Sequence, residues 1–225
     1  MAVTIKDVAR AAGVSVATVS RSFSQPDRVD ETTRRRVTAC AEDLGYRPNR
    51  TAQSLITGRT GMLGVVVPDL VNPFFPAVVK AVSSEAQRRG YGVMLMDTDE
   101  DPAAELTTVT TISRQVDGIV LCSPRMQDED LAAAAALSSL MLVNRPMDGV
   151  PNVAIDNADG VRQGVLHLRA LGHTSVAWVG GPPASRSNAQ RLDAVRAATA
   201  EHGLDLVELG RSPRPSRAAC RRPTR

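Results

Sequence analysis

The chain has 225 residues, of which 43% are hydrophobic, 23% charged and only 3% aromatic. That length suits about two domains, and the balance is that of a globular protein whose cores are built from Val, Leu, Ile and Ala. No apolar run approaches the roughly 18 residues of a membrane span, and Cys40, Cys122 and Cys220 lack metal-ligand spacing.

The net charge of +3 is unevenly spread: +4 in residues 1–60, −7 in 61–210 and +6 in 211–225. A basic head on an acidic body suits a polyanionic partner for the head, although solvated faces give the same tally. The opening MAVTIKDVAR is charged where a secretion signal is apolar, so a cytoplasmic location is expected. Cys40 and Cys122 read as small buried hydrophobes.

Thr4 and Asp7 form a capping pair, after which Ile5, Val8, Ala9 and Ala12 recur on one helical face. Gly13 ends that helix. Ser15 caps a second, with Thr18 at its third position and Val14 and Val19 spaced as a hydrophobic staple. Two short helices across a three-residue turn predict a helix-turn-helix, with small Ala9 at the crossing. The second helix leaves Val16, Ala17, Ser20 and Arg21 outside. Val16 and Ala17 can touch thymine methyls and Arg21 can fork onto guanine, while Thr18 and Ser20 suit phosphates. The competing interpretation is one more packing helix with a solvated arginine. A third helix follows, capped by Asp30, with Val37, Ala41 and Leu44 as its stripe and Gly45 as its end. Its Arg34, Arg35 and Arg36 read as a solvated face.

In GYRPNRTAQSLITGRTG, Pro48 breaks the chain, Asn49 can cap, and residues 50–57 can form one short helix. Eight residues do not hold an isolated helix, so this segment is expected to fold only against DNA and a twin chain. Leu55 would then be a minor-groove wedge. The alternative is a flexible linker.

Beyond it, strand-like runs fall at 62–68, 91–97, 118–122, 140–144 and 153–157, with helical stretches such as 74–89 and 102–115 between them. Continuously apolar strands alternating with helices predict a parallel α/β sheet, with ligands beyond the strands' carboxyl ends. Those ends carry Asp69, Asn72, Phe74, Phe75, Ser123, Pro124, Arg125, Asn144, Arg145 and Asp156. Aromatics beside amides and charges suit a polar ring such as a sugar. Each has a plainer role open to it: Phe74 and Phe75 as core, Asp156 as the cap of the helix beginning near Ala158.

A second lobe starts near residue 158, with helix 158–171, strand 176–180 and helix 187–201. Catalysis finds no foothold. His167, His173 and His202 have no triad or metal partners, and Gly180-Gly181-Pro182 lacks the pattern of a phosphate loop. The last fifteen residues, RSPRPSRAACRRPTR, cannot bury a core. They are expected to be a basic extension or, with more support, the product of a reading-frame slip near Gly210. An unfinished lobe would expose sheet edge and apolar surface.

TIKDVARAAGVSVATVSRSF and GYRPNRTAQSL resemble the head and hinge of the LacI-type (lac repressor–galactose repressor) regulators. The likeness continues through GVVVPDLVNPFF, DGIVLCSP, VAIDN and VAWVGGP to about residue 209. Ser24 departs from the family, which usually has asparagine there. The resemblance implies an all-α helix-turn-helix head (1–47), a hinge (48–60) and an α/β periplasmic-binding-protein-like core. The core's parallel sheet is flanked by helices, with a first lobe at 61–157 and an incomplete second lobe at 158–210, before the tail at 211–225. It implies a repressor that binds a palindromic double-stranded DNA operator as a homodimer and responds to a small effector, a sugar or a relative of one, with no enzymatic activity, cofactor or metal.

The DNA-contacting set is then Thr4, Ser15, Val16, Ala17, Thr18, Ser20, Arg21, Asn49, Arg50, Ala52 and Leu55. The effector set is Asn72, Phe74, Ser123, Arg125, Asp156 and Arg191, the last by resemblance in SNAQRLDAV and otherwise a solvated side chain. Two other outcomes stay open: a truncated or frameshifted product with a DNA-binding head but no effector response, and a stand-alone sugar-binding module.

Overall fold

The computed structural model describes residues 3–47 and 58–210. The expected hinge helix, with Asn49, Arg50, Ala52 and Leu55, and the tail at 211–225 lie outside the described residues. The chain divides into two units, Met1–Gly61 and Met62 onward.

The head consists of α1 (Ile5–Ala12), α2 (Val16–Ser24), a 3-10 turn (Pro26–Arg28) and α3 (Glu31–Asp43). Local chemistry sets each boundary. Asp7 Oδ2 accepts from the Thr4 backbone N–H at 3.0 Å and from the Thr4 hydroxyl at 2.7 Å. These bonds, led by the hydroxyl, hold the Asp7 carboxyl below its ordinary pKa. Gly13, with φ of 65°, turns the chain out of α1, as a residue without Cβ does at little cost. Ser15 Oγ accepts from the Thr18 N–H at 3.1 Å to start α2, and Asp30 accepts from the Thr33 N–H at 3.0 Å to start α3. Ser24 donates back to the Ser20 carbonyl at 2.9 Å, within its own helix.

Val8, Ala9, Ala12, Val19, Val37 and Ala41 form the head's core, with Ile5, Val14, Phe23, Cys40 and Tyr46 packed around them. Leu44, expected in the stripe of α3, is instead 37% exposed. Gly45 adopts a φ of 66°, and the Tyr46 N–H returns to the Ala41 carbonyl at 2.8 Å. This fold-back brings the Tyr46 ring within 6.2 Å of Phe23, so tyrosine closes the core in place of leucine.

The second unit opens with a five-stranded, wholly parallel sheet: β1 (Met62–Val67), β2 (Gly92–Asp97), β3 (Gly118–Cys122), β4 (Leu140–Val143) and β5 (Asn152–Val153). Its order is β2-β1-β3-β4-β5. The connections carry α4 (Phe74–Arg88), α5 (Pro102–Ile112) and α6 (Asp128–Leu137). Alternation along β1 splits the core: Val66 packs with Val109, Ile112 and Leu131 of α5 and α6, while Val65 and Val67 pack with Phe75 and Val79 of α4.

The run expected as a strand over 153–157 pairs only through Val153. The Ile155 N–H is taken by Asn144 Oδ1 at 3.3 Å, and Asp156 caps the next helix, so no ladder can continue. The alanine-rich α6 lacks the apolar periodicity that marks helices in sequence, and was not anticipated.

A second lobe follows: α7 (Asn157–Ala170), β6 (Ser175–Val179), α8 (Arg186–His202) and β7 (Asp205–Leu209). β7, absent from the sequence reading, pairs in parallel with β6. One face of this pair, Val176, Trp178 and Leu206, packs on Val165, Val195 and Ala198 of α7 and α8. The opposite face leaves Val179, Val207 and Leu209 at least half exposed. Among the described residues no helix is long and apolar enough to cross a membrane.

Val19 is fully buried in a head core of six residues. Its replacement by alanine should cost about 2 kcal/mol, as expected for two buried methyl groups plus a cavity. Urea unfolding followed by circular dichroism will measure this.

Candidate functional site

Two places in the molecule gather unspent recognition chemistry. The first is the outer face of α2. Val16 is 41% exposed, beside exposed Ala17 and Arg21. Apolar Val16 gains nothing from water at that position. The Arg21 Nε donates to the Ala17 carbonyl at 3.2 Å, which keeps the guanidinium along the helix and its terminal amino groups without a bond among the described residues. The hydroxyls expected beside this trio are occupied locally. Ser15 and Thr18 pair with each other at 2.9 Å, and Thr4 is bound to Asp7. Ser20 is half-buried on the same helix.

The second place is a cavity of about 390 Å³ in the second unit. It opens beyond the carboxyl ends of β1 and β3, where the strand order reverses, as open α/β sheets dictate. Asp69, Asn72, Phe74 and Phe75 come from the β1 end, Glu100 from β2, Ser123 and Arg125 from β3, and Asn144 from β4. The second lobe adds Asn157, Pro182, Ser185, Ser187, Asn188 and Arg191. Glu100, Ser123 and Asn144 have positive φ angles of 63°, 46° and 58°. Such backbone costs energy in non-glycine residues and gathers at ligand sites.

Three asparagines behave alike. Asn72 Oδ1 accepts from the Phe74 N–H at 3.1 Å, Asn144 Oδ1 from Ile155, and Asn188 Oδ1 from the Gly181 N–H at 2.7 Å. Each carbonyl end is spent on a loop, so each NH₂ end is left to donate. Ser187 Oγ is buried without a partner among the described residues. Arg191 is exposed on the same helix face. The aromatic pair divides its labour: Phe75 is 3% exposed and belongs to the core, while Phe74, 37% exposed, stands edge-on to it at 5.2 Å.

Two of the expected effector residues carry structural bonds of their own. Asp156 lies outside the cavity lining and caps α7, accepting from the Asp159 N–H at 2.9 Å. Arg125 lines the cavity, yet its fork is taken: Glu100 holds Nε and, at 2.9 Å, Nη2, while Nη1 reaches the Ser123 carbonyl at 2.5 Å. It is a brace for the cavity wall. Glu100 was missed in sequence, although the acidic run DTDED after β2 marks it; Ser185, Ser187 and Asn188 were missed at the polar opening of α8, ASRSN.

Beneath the wall lies Glu105, fully buried in α5. Its Oε2 accepts from the backbone N–H groups of Arg125 at 2.7 Å and Met126 at 2.9 Å. Burial raises its pKa above the ordinary 4.5, opposed by those amides and by the charges of Arg125 and Arg145. Cys122 packs on the other face of the sheet with Val65, Val67 and Phe75, and burial pushes its thiol up to about 12. Because the folded state holds the Glu105 proton more tightly, this group's contribution to stability should decline as pH rises from 4.5 through the folded-state pKa. Glu105→Gln keeps an acceptor and should abolish that decline. Glu105→Ala strands two buried amides and should cost about 2–4 kcal/mol. Unfolding free energies of the three proteins across a pH series check both outcomes.

Comparison with known proteins agrees with this architecture. Residues 4–49 match the model of bacterial regulatory proteins of the lacI family. Residues 60–216 match that of periplasmic binding proteins and the sugar-binding domain of the LacI family. The transcriptional regulator DegA of Bacillus subtilis is 31% identical, over 92% of this chain and 64% of its own length. The ribose operon repressor of the same organism is 37% identical over 73% of this chain and 51% of its own. The lac repressor dimer bound to operator and the anti-inducer ONPF superposes with a TM-score of 0.82 at 29% identity, covering 94% of this chain and 66% of that one. The chain thus spans about half to two thirds of the length of the relatives it matches, which are transcriptional regulators and not enzymes. From its head to its second lobe, the chain belongs to the LacI family of bacterial regulatory proteins.

Proposed function

We propose that this chain is a cytoplasmic, sequence-specific DNA-binding repressor that docks on a palindromic operator as a homodimer. The observation that carries this reading is the exposed trio Val16, Ala17 and Arg21 on the first turns of α2. An α-helix fits the major groove, where methyl contacts and an arginine fork discriminate bases. Two such helices on a dimer would enter successive grooves. Thr4, Ser15, Thr18 and Ser20 would position the helix on phosphates, while Asn49, Arg50, Ala52 and Leu55 would serve the hinge at the minor groove. The lac repressor dimer, whose structure holds operator DNA, supports the comparison.

The cavity would bind the effector, a neutral polyhydroxylated ring of the sugar class. Three asparagine amides and Arg191 offer donors to hydroxyl oxygens, and Phe74 offers an aromatic edge. Arg125 is neutralised by Glu100, so it presents no spare charge for an anionic group. Binding and release would shift the head's affinity for DNA with no chemistry on the ligand, and neither cofactor nor metal is required.

In a selection from random duplexes, Arg21→Ala should lose about 1–3 kcal/mol of specific affinity and relax one base position per half-site; an unchanged motif would refute the reading of α2. Calorimetry against a panel of neutral monosaccharides, including ribose, should find a ligand whose affinity falls about tenfold or more in Arg191→Ala, as for loss of a charged hydrogen bond. Arg191→Ala binding as tightly as the parent would remove Arg191 from the site.

A further inference from the structure

Outside the cavity lining, a charged group joins the two lobes of the second unit. Asp128 opens α6 in the first lobe, and Arg186 opens α8 in the second. Asp128 Oδ1 accepts from Arg145 Nη2 at 2.6 Å. The same carboxylate takes Arg186 Nη1 at 3.4 Å on Oδ1 and 3.5 Å on Oδ2. Arg145 itself is 5% exposed, with a second bond from Nη2 to the Met126 carbonyl at 3.5 Å. Its Nε is buried without a partner among the described residues. Asp128 is therefore anchored to a cation that cannot leave the first lobe without stranding a buried charge. Arg186, half-exposed, is the member that can let go.

We infer that Asp128 and Arg186 are positioning residues that set the width of the cleft, tying the helix that carries Ser187, Asn188 and Arg191 to the wall that carries Ser123 and Arg125. The geometry makes this pair an efficient tie. Asp128 follows Arg125 by three residues on one wall, and Arg186 immediately precedes Ser187 on the other. Holding the first residue of α8 fixes the distance from its polar face to the opposite wall. An exposed ion pair adds little to global stability, but a small energy is enough to move an equilibrium between two nearly balanced lobe spacings. The bond to Arg145 is the chief cause that holds the Asp128 carboxyl below its ordinary pKa.

The inference concerns the spacing of the walls and not the ligand, so its test uses the protein alone. Nitroxide labels go on Gln87→Cys of α4 and Ala200→Cys of α8, both exposed positions. Cys40 and Cys220 are replaced by serine, and buried Cys122 stays unlabelled. Double electron–electron resonance on the full chain should show one dominant distance. Arg186→Gln should raise the longer-distance population about two- to fivefold, the range for loss of an exposed ion pair. About 1 M NaCl should do the same to the parent and add nothing to Arg186→Gln. Arg162→Gln, which breaks an ion pair inside α7, should leave the distances alone. Circular dichroism confirms that each variant is folded. An unchanged distribution in Arg186→Gln overturns the inference. So does a shift seen only in Asp128→Asn, which would place the effect within the first lobe, and so does an equal shift in Arg162→Gln.

Discussion

The cavity rests on one buried carboxylate. Glu105 receives the amides of Arg125 and Met126, and these fix the segment that leaves β3. Ser123, held at a positive φ, and Arg125 inherit their places from that anchor. Arg125 in turn holds Glu100 and so ties the β2 end to the β3 end. A buried charge is normally a liability; here two charge-assisted hydrogen bonds and two nearby arginines offset part of its cost, and burial still raises the pKa. Hydrophobic packing decides that there is a sheet, and this small polar assembly decides what shape its mouth has.

The head uses a different physics on a smaller scale. Six buried side chains, none larger than valine, make its core. Such a core is thin, and the caps at Thr4, Ser15 and Asp30 carry a correspondingly large share of the definition of the helices. Short, well-capped helices around small side chains place α2 with little freedom, which is what presenting three side chains as one face requires.

What could be read from sequence follows from how local each cause is. The Ser15 and Asp30 caps, the left-handed Gly13 and the apolar strands act within a few residues, and the structure has them where the sequence puts them. The failures have causes distant in sequence. Asn144 reaches eleven residues along to occupy Ile155 and end β5. Glu100 finds Arg125 twenty-five residues away and gives a residue expected only as a ligand contact a second role as a brace. Tyr46 displaces Leu44 through a turn whose effect depends on Phe23. Asp156 could be a cap or a contact by its position alone; the structure shows the cap bond and leaves the residue outside the cavity lining.

The asparagines at 72, 144 and 188 have a consequence for selectivity. A free carboxamide can rotate by half a turn and exchange donor for acceptor, which lets a protein tolerate either kind of guest. Here each oxygen is committed to a main-chain amide, so none can invert without breaking the loop it supports. These three carboxamides, two on the first-lobe wall and one on the second, therefore keep a fixed polarity. An effector of the proposed class would meet fixed donors at these three points, which favour a hydroxyl oxygen over an N–H group turned the same way.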